Sequence, residues 1–385
     1  MRIIADENIP LVQEFFADIG KIKVYLGRDI KAKYLKEADV LLVRSVTQVD
    51  ADLLQHSGVR FVGTSTIGTD HIDLKWLKNQ KIAFANAPGS NAESVVEYVL
   101  SALVYLEERE GFELQDKTVG IIGAGNVGGR LYERLHQVGV NILINDPPLQ
   151  SKNEQAFPES CWADLDTLLE QADIISLHTP LISSGVHPTH HLLDKKRIQN
   201  LAAGKIIINS GRGAVIDTQA LKKRLQTQED LLTVLDVWEQ EPHFDAELVK
   251  LVTLATPHIA GYSLDGKLRG TEMVCQSLCQ HFGLPMRKQL GQLIPEPPLR
   301  KINFSAQMLP EQGVRTLIRA CYDVRSDDLA LRLALRTLTP AQAYDQLRRD
   351  YPVRREFANV RVELKSKQKA LAQKLISLGF KVKLN

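Results

Sequence analysis

Cysteine is scarce in this chain: Cys161, Cys275, Cys279 and Cys321 are the only four in 385 residues, and their spacing is too irregular for a disulfide framework. That excludes a small cross-linked secreted scaffold and fits a reducing compartment. Cys275 and Cys279 stand one helical turn apart near His281, but no second pair of ligands completes four-coordination. They read as small apolar helix positions, and no metal is expected. Long apolar runs are also missing. No stretch of about eighteen apolar residues occurs, and Met1-Arg-Ile-Ile-Ala-Asp-Glu-Asn8 puts two acids where a signal peptide would carry its apolar stretch. The expectation is a cytoplasmic protein with no membrane partner. Low-complexity tracts are absent too.

Net charge is small, at +2, but unevenly divided. Residues 286–385 hold 20 Lys and Arg against 9 Asp and Glu, and residues 1–285 hold 28 against 37. The last hundred residues therefore read as a separate basic unit. Aromatics make up 6% of the chain, and nothing in the basic unit resembles an aromatic-lined or helix-turn-helix reader, so no nucleic acid is expected as a partner. The charge serves either an anionic small substrate or a solvated dimer rim, with Arg348, Arg349, Arg354 and Arg355 as the arginines concerned.

The chain has length enough for two or three domains. Short apolar runs alternate with amphipathic stretches through the first hundred residues: Arg2-Ile-Ile-Ala5, Val40-Leu-Leu-Val43, Phe61-Val62 and Ile82-Ala-Phe-Ala85. A long helix follows from Asn91 to about Glu110. A second block alternates through Thr118–Ile122, Asn141–Ile144, Asp173–Leu177, Lys205–Asn209, Thr233–Asp236 and Val252–Ala255, and a helix near Gly266–Gln280 is expected to return and pack on the first block. Strands alternating with helices predict parallel sheets. The basic unit reads as α+β: helices at Gly313–Cys321, Asp328–Leu338 and Ser366–Leu378, strands at Asn359–Leu364 and Phe380–Leu384. The fold expected is α/β, with two doubly wound parallel-sheet (Rossmann-like) domains, a cleft between them, and a C-terminal α+β domain. Residues 1–99 and 265–285 are expected to form one domain, 100–264 the second and 286–385 the C-terminal one.

Gly123-Ala-Gly125-Asn126-Val127-Gly128 directly follows a strand and opens a helix, and Asp146 ends the next strand. Glycines there permit a tight turn and close approach of a pyrophosphate to the helix amino terminus, while the acid can bind ribose hydroxyls and would repel a phosphate on that ribose. NAD is expected rather than NADP, which makes 100–264 the expected NAD-binding domain and 1–99 with 265–285 the expected substrate-binding domain. Thr179, Asp236 and Gly261 are further cofactor contacts by the rule that open sheets bind ligands at the carboxyl ends of their strands. Three later residues name a reaction. Arg212 lies in Asn209-Ser-Gly-Arg-Gly213, Glu241 in Leu235-Asp-Val-Trp-Glu-Gln-Glu-Pro242 and His258 in Ala255-Thr-Pro-His-Ile-Ala-Gly261. A guanidinium holds a carboxylate with two parallel hydrogen bonds, an imidazole moves a proton near neutral pH, and a carboxylate beside it raises its proton affinity.

In these motifs, and in Gly68-Thr-Asp-His-Ile-Asp73 and Asn86-Ala-Pro-Gly-Ser-Asn91, the chain resembles the D-isomer-specific 2-hydroxyacid dehydrogenases. The resemblance implies that Arg212 binds the substrate carboxylate, that His258 takes the hydroxyl proton as hydride leaves for the nicotinamide, and that Glu241 bonds the imidazole. It implies a small phosphorylated 2-hydroxy acid as substrate, met by Ser45, Thr66, Tyr262 and Arg44, the last two suited to a terminal phosphate. It also implies a homodimer joined through the C-terminal domain. The alternative of another class is an NAD-sensing binding protein on the same scaffold.

Overall fold

The computed structural model describes residues 1–152 and 157–385. They divide into two compact units, one of residues 1–92 and 262–296, the other of residues 93–261 and 297–385. Among the described residues no helix is long and apolar enough to cross a membrane.

In the first unit five parallel strands run in the order β2-β1-β3-β4-β5, with β1 Arg2–Asp6, β2 Lys21–Tyr25, β3 Val40–Val43, β4 Phe61–Thr64 and β5 Ala83–Ala85. Successive residues of a strand point to opposite faces, and both faces are covered. Ile3, Ala5, Val40 and Leu42 pack on one side with Phe15, Phe16 and Val274, Leu278 of the helix Leu264–Phe282. Ile4, Leu41 and Val43 pack on the other with Leu35, Leu54 and Leu77. Double burial is why β3 reads as an unbroken apolar run. β2 escaped the sequence reading because it is an edge strand with Lys21 and Lys23 exposed, so no apolar run marks it. Cys275 and Cys279 belong to this core, and burial pushes the Cys275 thiol up to about 12. They are inert apolar positions.

The second unit carries six parallel strands in the order β11-β10-β9-β8-β6-β7, with β6 Thr118–Ile122, β7 Asn141–Asn145, β8 Ile174–Leu177, β9 Ile206–Asn209, β10 Leu232–Leu235 and β11 Leu254–Ala255. The chain leaves β6 for β7 on one side and returns beside β6 as β8 on the other, which makes the carboxyl end of β6 the topological switch point. Residues 297–385 build an α+β module around three parallel strands, β12 Lys301–Asn303, β13 Arg361–Leu364 and β14 Lys381–Leu384. This module falls in one compact unit with residues 93–261. The helix Val324–Ala334 joins it to β11: Asp328 accepts from Ala255 N at 2.8 Å, and Arg332 donates to the carbonyls of Val249 and Val252. The helix Pro340–Arg349 follows.

Two of the four arginines assigned to a solvated rim or to substrate steering are neither. Arg354 and Arg355 are buried, and Arg354 donates to Ser94 O and Ala260 O while its guanidinium lies 3.6 Å from the Tyr322 ring centre. Arg349 alone of the four has a largely exposed side chain, paired with Asp350. Burial of so large a cation as Arg354 is tolerated because both terminal nitrogens meet carbonyls, the guanidinium lies on an aromatic face, and the buried Glu97 carboxylate stands 3.8 Å away.

Candidate active site

Every group expected of the nucleotide site lies just past the carboxyl end of a strand in the second unit. Gly123 follows β6 with φ +88, a left-handed backbone that a side chain would strain, and a Cβ there would also press on the carbonyl of His178. Gly128 sits against the Gly123 carbonyl, where a Cβ would come within 2.0 Å of the oxygen. Gly125 instead faces open space and caps the helix Asn126–Gln137, whose first residues Asn126 and Val127 present unpaired backbone donors as any helix start does. Asp146 follows β7 and uses both carboxylate oxygens: one accepts from Ala124 N at 2.9 Å, the other caps the helix Pro147–Gln150 through Leu149 N. The turn-forming and loop-bracing roles therefore coexist in one residue.

Thr179 lies over Gly123, and among the described residues its Oγ1, though buried, has no hydrogen-bond partner. Buried hydroxyls are normally satisfied. This orphaned oxygen, the open face at Gly125 and the helix start together fit a bound dinucleotide. Its neighbour His178 is held between Ser176 Oγ and Ser210 Oγ, and burial brings its pKa down to about 4. It is a neutral positioning imidazole.

Arg212, Glu241 and His258 follow three adjacent strands, β9, β10 and β11. Gly213 lets the first two loops meet, since a Cβ there would fall 1.9 Å from the Trp238 carbonyl carbon. Asn209 braces the arginine loop, accepting from Gly211 N and donating to Arg212 O, and Arg212 Nη1 donates to Gly211 O. Asp236 is fully buried and organises the histidine loop: its carboxylate accepts from Thr256 Oγ1, Ile259 N and Ala260 N, its carbonyl from His258 N at 2.7 Å. Those bonds hold His258 at φ +57, a conformation costing a non-glycine residue about 1–2 kcal/mol. Gly261 ends the same loop, at the boundary between the two units.

Glu241 Oε1 accepts from Trp238 N at 2.8 Å, and Oε2 accepts from His258 Nδ1 at 2.7 Å. Burial pushes this carboxyl up, but the charge of His258 and hydrogen bonds from His258, Trp238 and Tyr344 outweigh it and hold the pKa down at about 2. The glutamate is an anion at any working pH. An anionic carboxylate cannot donate, so Nδ1 carries the proton and Nε2 is left as the basic nitrogen. Tyr344 is a contact sequence reasoning missed: its hydroxyl donates to Glu241 Oε2 at 2.7 Å and lies 3.3 Å from His258 Nδ1.

In the first unit Arg44 and Ser45 follow β3, and Thr66 follows the adjacent β4. Arg44 Nε donates to the fully buried Asp6 carboxylate at 3.0 Å, which sets the direction of its guanidinium. Thr66 Oγ1 bonds Thr64 Oγ1 and Gly68 O. Tyr262 carries Lys267 Nζ 4.1 Å from its ring centre. One group among the described residues has the composition of a metal site, His190, His191 and Glu239. The two imidazoles are stacked at 4.0 Å and 22°, so no single ion can lie in both ring planes, and His191 Nε2 is bonded to Glu239 at 2.9 Å.

A family model for the NAD binding domain of D-isomer specific 2-hydroxyacid dehydrogenases matches residues 97–260, and one described as a domain of unknown function (DUF3410) matches residues 293–379. Curated relatives named erythronate-4-phosphate dehydrogenase include those of Chromohalobacter salexigens, 54% identical over 100% of both chains, and Hahella chejuensis, 51% identical over 99% of each. Among solved structures, NAD+-bound 3-phosphoglycerate dehydrogenase of Entamoeba histolytica is similar with a TM-score of 0.62 at 25% identity, covering 74% of this chain and 95% of that one. D-lactate dehydrogenase of Aquifex aeolicus, complexed with NAD and lactic acid, gives 0.59 at 26% identity over 74% and 96%.

Proposed function

Because the chain belongs to the erythronate-4-phosphate dehydrogenase family of D-isomer-specific 2-hydroxyacid dehydrogenases, we propose that it oxidises 4-phospho-D-erythronate to 2-oxo-3-hydroxy-4-phosphobutanoate, a step in forming pyridoxal 5'-phosphate. It is an NAD-dependent dehydrogenase. The bound nicotinamide supplies the acceptor for the hydride that leaves the substrate carbon. Gly123, Gly125, Asn126, Val127 and Gly128 cradle the pyrophosphate, Asp146 takes the ribose hydroxyls, and Thr179, Asp236 and Gly261 complete the nucleotide contacts.

The observation that carries the reading is the 2.7 Å bond between His258 Nδ1 and Glu241. It leaves Nε2 as the group that accepts the substrate hydroxyl proton, and the carboxylate stabilises the imidazolium that results. The hydroxyl proton goes to His258 and the hydride to the cofactor as the C–O bond becomes a carbonyl. Arg212 holds the substrate carboxylate with its planar fork. Ser45 and Thr66 contact the substrate, and Arg44 and Tyr262 take its phosphate. The protein works in the cytoplasm as a homodimer joined through its C-terminal module, without nucleic-acid or membrane partners.

The test compares 4-phosphoerythronate with 3-phosphoglycerate, following reduced nicotinamide by absorbance. The expected result is a kcat/KM at least about tenfold higher for 4-phosphoerythronate, the discrimination of roughly one or two good contacts. Preference for 3-phosphoglycerate overturns the substrate assignment while leaving the dehydrogenase. Absence of saturable turnover with any 2-hydroxy acid overturns both and favours an NAD-sensing binding protein.

A further inference from the structure

The helix Pro340–Arg349 lies outside the segment matched by the NAD-binding-domain model and inside the one described only as a domain of unknown function. We propose that this helix supplies a positioning residue to the active site: Tyr344 fixes the Glu241 carboxylate and thereby the imidazole of His258.

The bonding leaves little freedom. Trp238 N holds one carboxylate oxygen of Glu241, while His258 Nδ1 and the Tyr344 hydroxyl, each at 2.7 Å, share the other. Two donors on one oxygen occupy both of its in-plane lone pairs, so the carboxylate can neither rotate nor slide without losing a charge-assisted bond. The direction of the phenolic proton is set one helical turn further on. Arg348 donates to the Tyr344 oxygen, and its guanidinium lies 4.5 Å from the ring centre. Arginine has no acceptor, so the phenolic hydrogen must point away from it, toward Glu241. The ring itself is 6% exposed and packs among Trp238, Phe244 and Leu248. Thr339 and Gln342 cap the start of the helix reciprocally.

The phenol also moderates the dyad. The His258 imidazole is faced by Glu241 from the loop after β10 and by the Tyr344 hydroxyl, with Arg348 behind it. Asp236 lies beneath, its carboxylate engaged by Thr256, Ile259 and Ala260. A donor on Oε2 withdraws negative charge from the oxygen that holds the imidazole proton. Without it Glu241 grips that proton harder, and the oxidation, which needs neutral His258, starts at higher pH.

Tyr344→Phe keeps the ring and removes the bond. The plateau kcat is expected to fall about tenfold, the scale of one hydrogen bond to a charged group, with the KM for NAD unchanged. The acid limb of the pH–rate profile is expected to move to higher pH, and in the ligand-free protein the His258 ring signal in NMR should titrate at higher pH than in the parent. Arg348→Met, which keeps the phenol but frees its proton to turn, should move the limb the same way by less. Parent-like kcat with an unmoved limb in Y344F overturns the proposal. So does a loss of melting temperature with the limb and the ring titration in place, since that is a packing role only. If Y344F does not fold, an unmoved limb in R348M is the overturning result. The inference rests on the dehydrogenase reading, but the substrate used is whichever hydroxy acid the parent oxidises. A parent inactive on 4-phosphoerythronate therefore defeats that assignment alone, and the NMR titration reads Tyr344 independently of turnover.

Discussion

His258 is the residue whose backbone and side chain are both held by others. Asp236 bonds its main chain and its two successors, keeping a left-handed φ, and Glu241 takes its Nδ1 proton. This division leaves Nε2 with one task, and His258→Ala should lower kcat by about two to four orders of magnitude, the range for a lost general base. NAD binding measured by fluorescence titration should change little. Turnover within about threefold of the parent removes His258 from the chemistry. The proposed catalytic trio stood out because each member sits in a short motif whose residue types suit that chemistry. Tyr344 carried no such mark: a tyrosine in Ala341-Gln-Ala-Tyr-Asp-Gln-Leu347 is indistinguishable from a surface helix residue until its partner, about a hundred positions earlier, is in place.

Elements differ in how plainly they announce themselves. Apart from β2, the strands of both large sheets were readable to within about two residues because burial on two faces demands continuous apolar side chains, as in Val40-Leu-Leu-Val43 and Ile206-Ile-Ile208. β2 and β12, half-exposed edges with lysines, have no such run. The helix Pro340–Arg349 was overlooked although its start is written in Thr339-Pro-Ala-Gln342, a proline at the first turn and a reciprocal cap. Its polar sequence hid the face that carries Ala343 and Tyr344 into the core. The helix before it matters to the site through β11. Asp328 accepts the Ala255 amide three residues before His258. Asp328→Ala should therefore cost about 1–3 kcal/mol, the penalty for orphaning a buried amide, seen as a lower urea midpoint, and should also slow turnover. Unchanged stability would show that water replaces the carboxylate without loss.

For the molecule as a whole, the uneven charge marked out a basic module, and packing ties that module to the nucleotide sheet. Residues 297–385 share one compact unit with the nucleotide sheet, with Leu331, Ala343 and Tyr344 in its core and Arg354 buried against Ser94 and Ala260. A chain ending at Glu296 should melt below the full protein and lose at least as much kcat as Tyr344→Phe. A truncated protein with parent-like melting and turnover would make the module dispensable. The amino-acid sequence by itself determined the class of fold, and it singled out the proposed cofactor loop and trio, because those depend on local patterns: strand burial, glycines at a turn, and residue types in short motifs. Only the tertiary structure decided that Arg354 and Arg355 are buried and that a tyrosine from the last quarter of the chain bonds the Glu241 carboxylate. Such contacts join residues far apart in sequence, and they exist only once the chain has closed the distance between them.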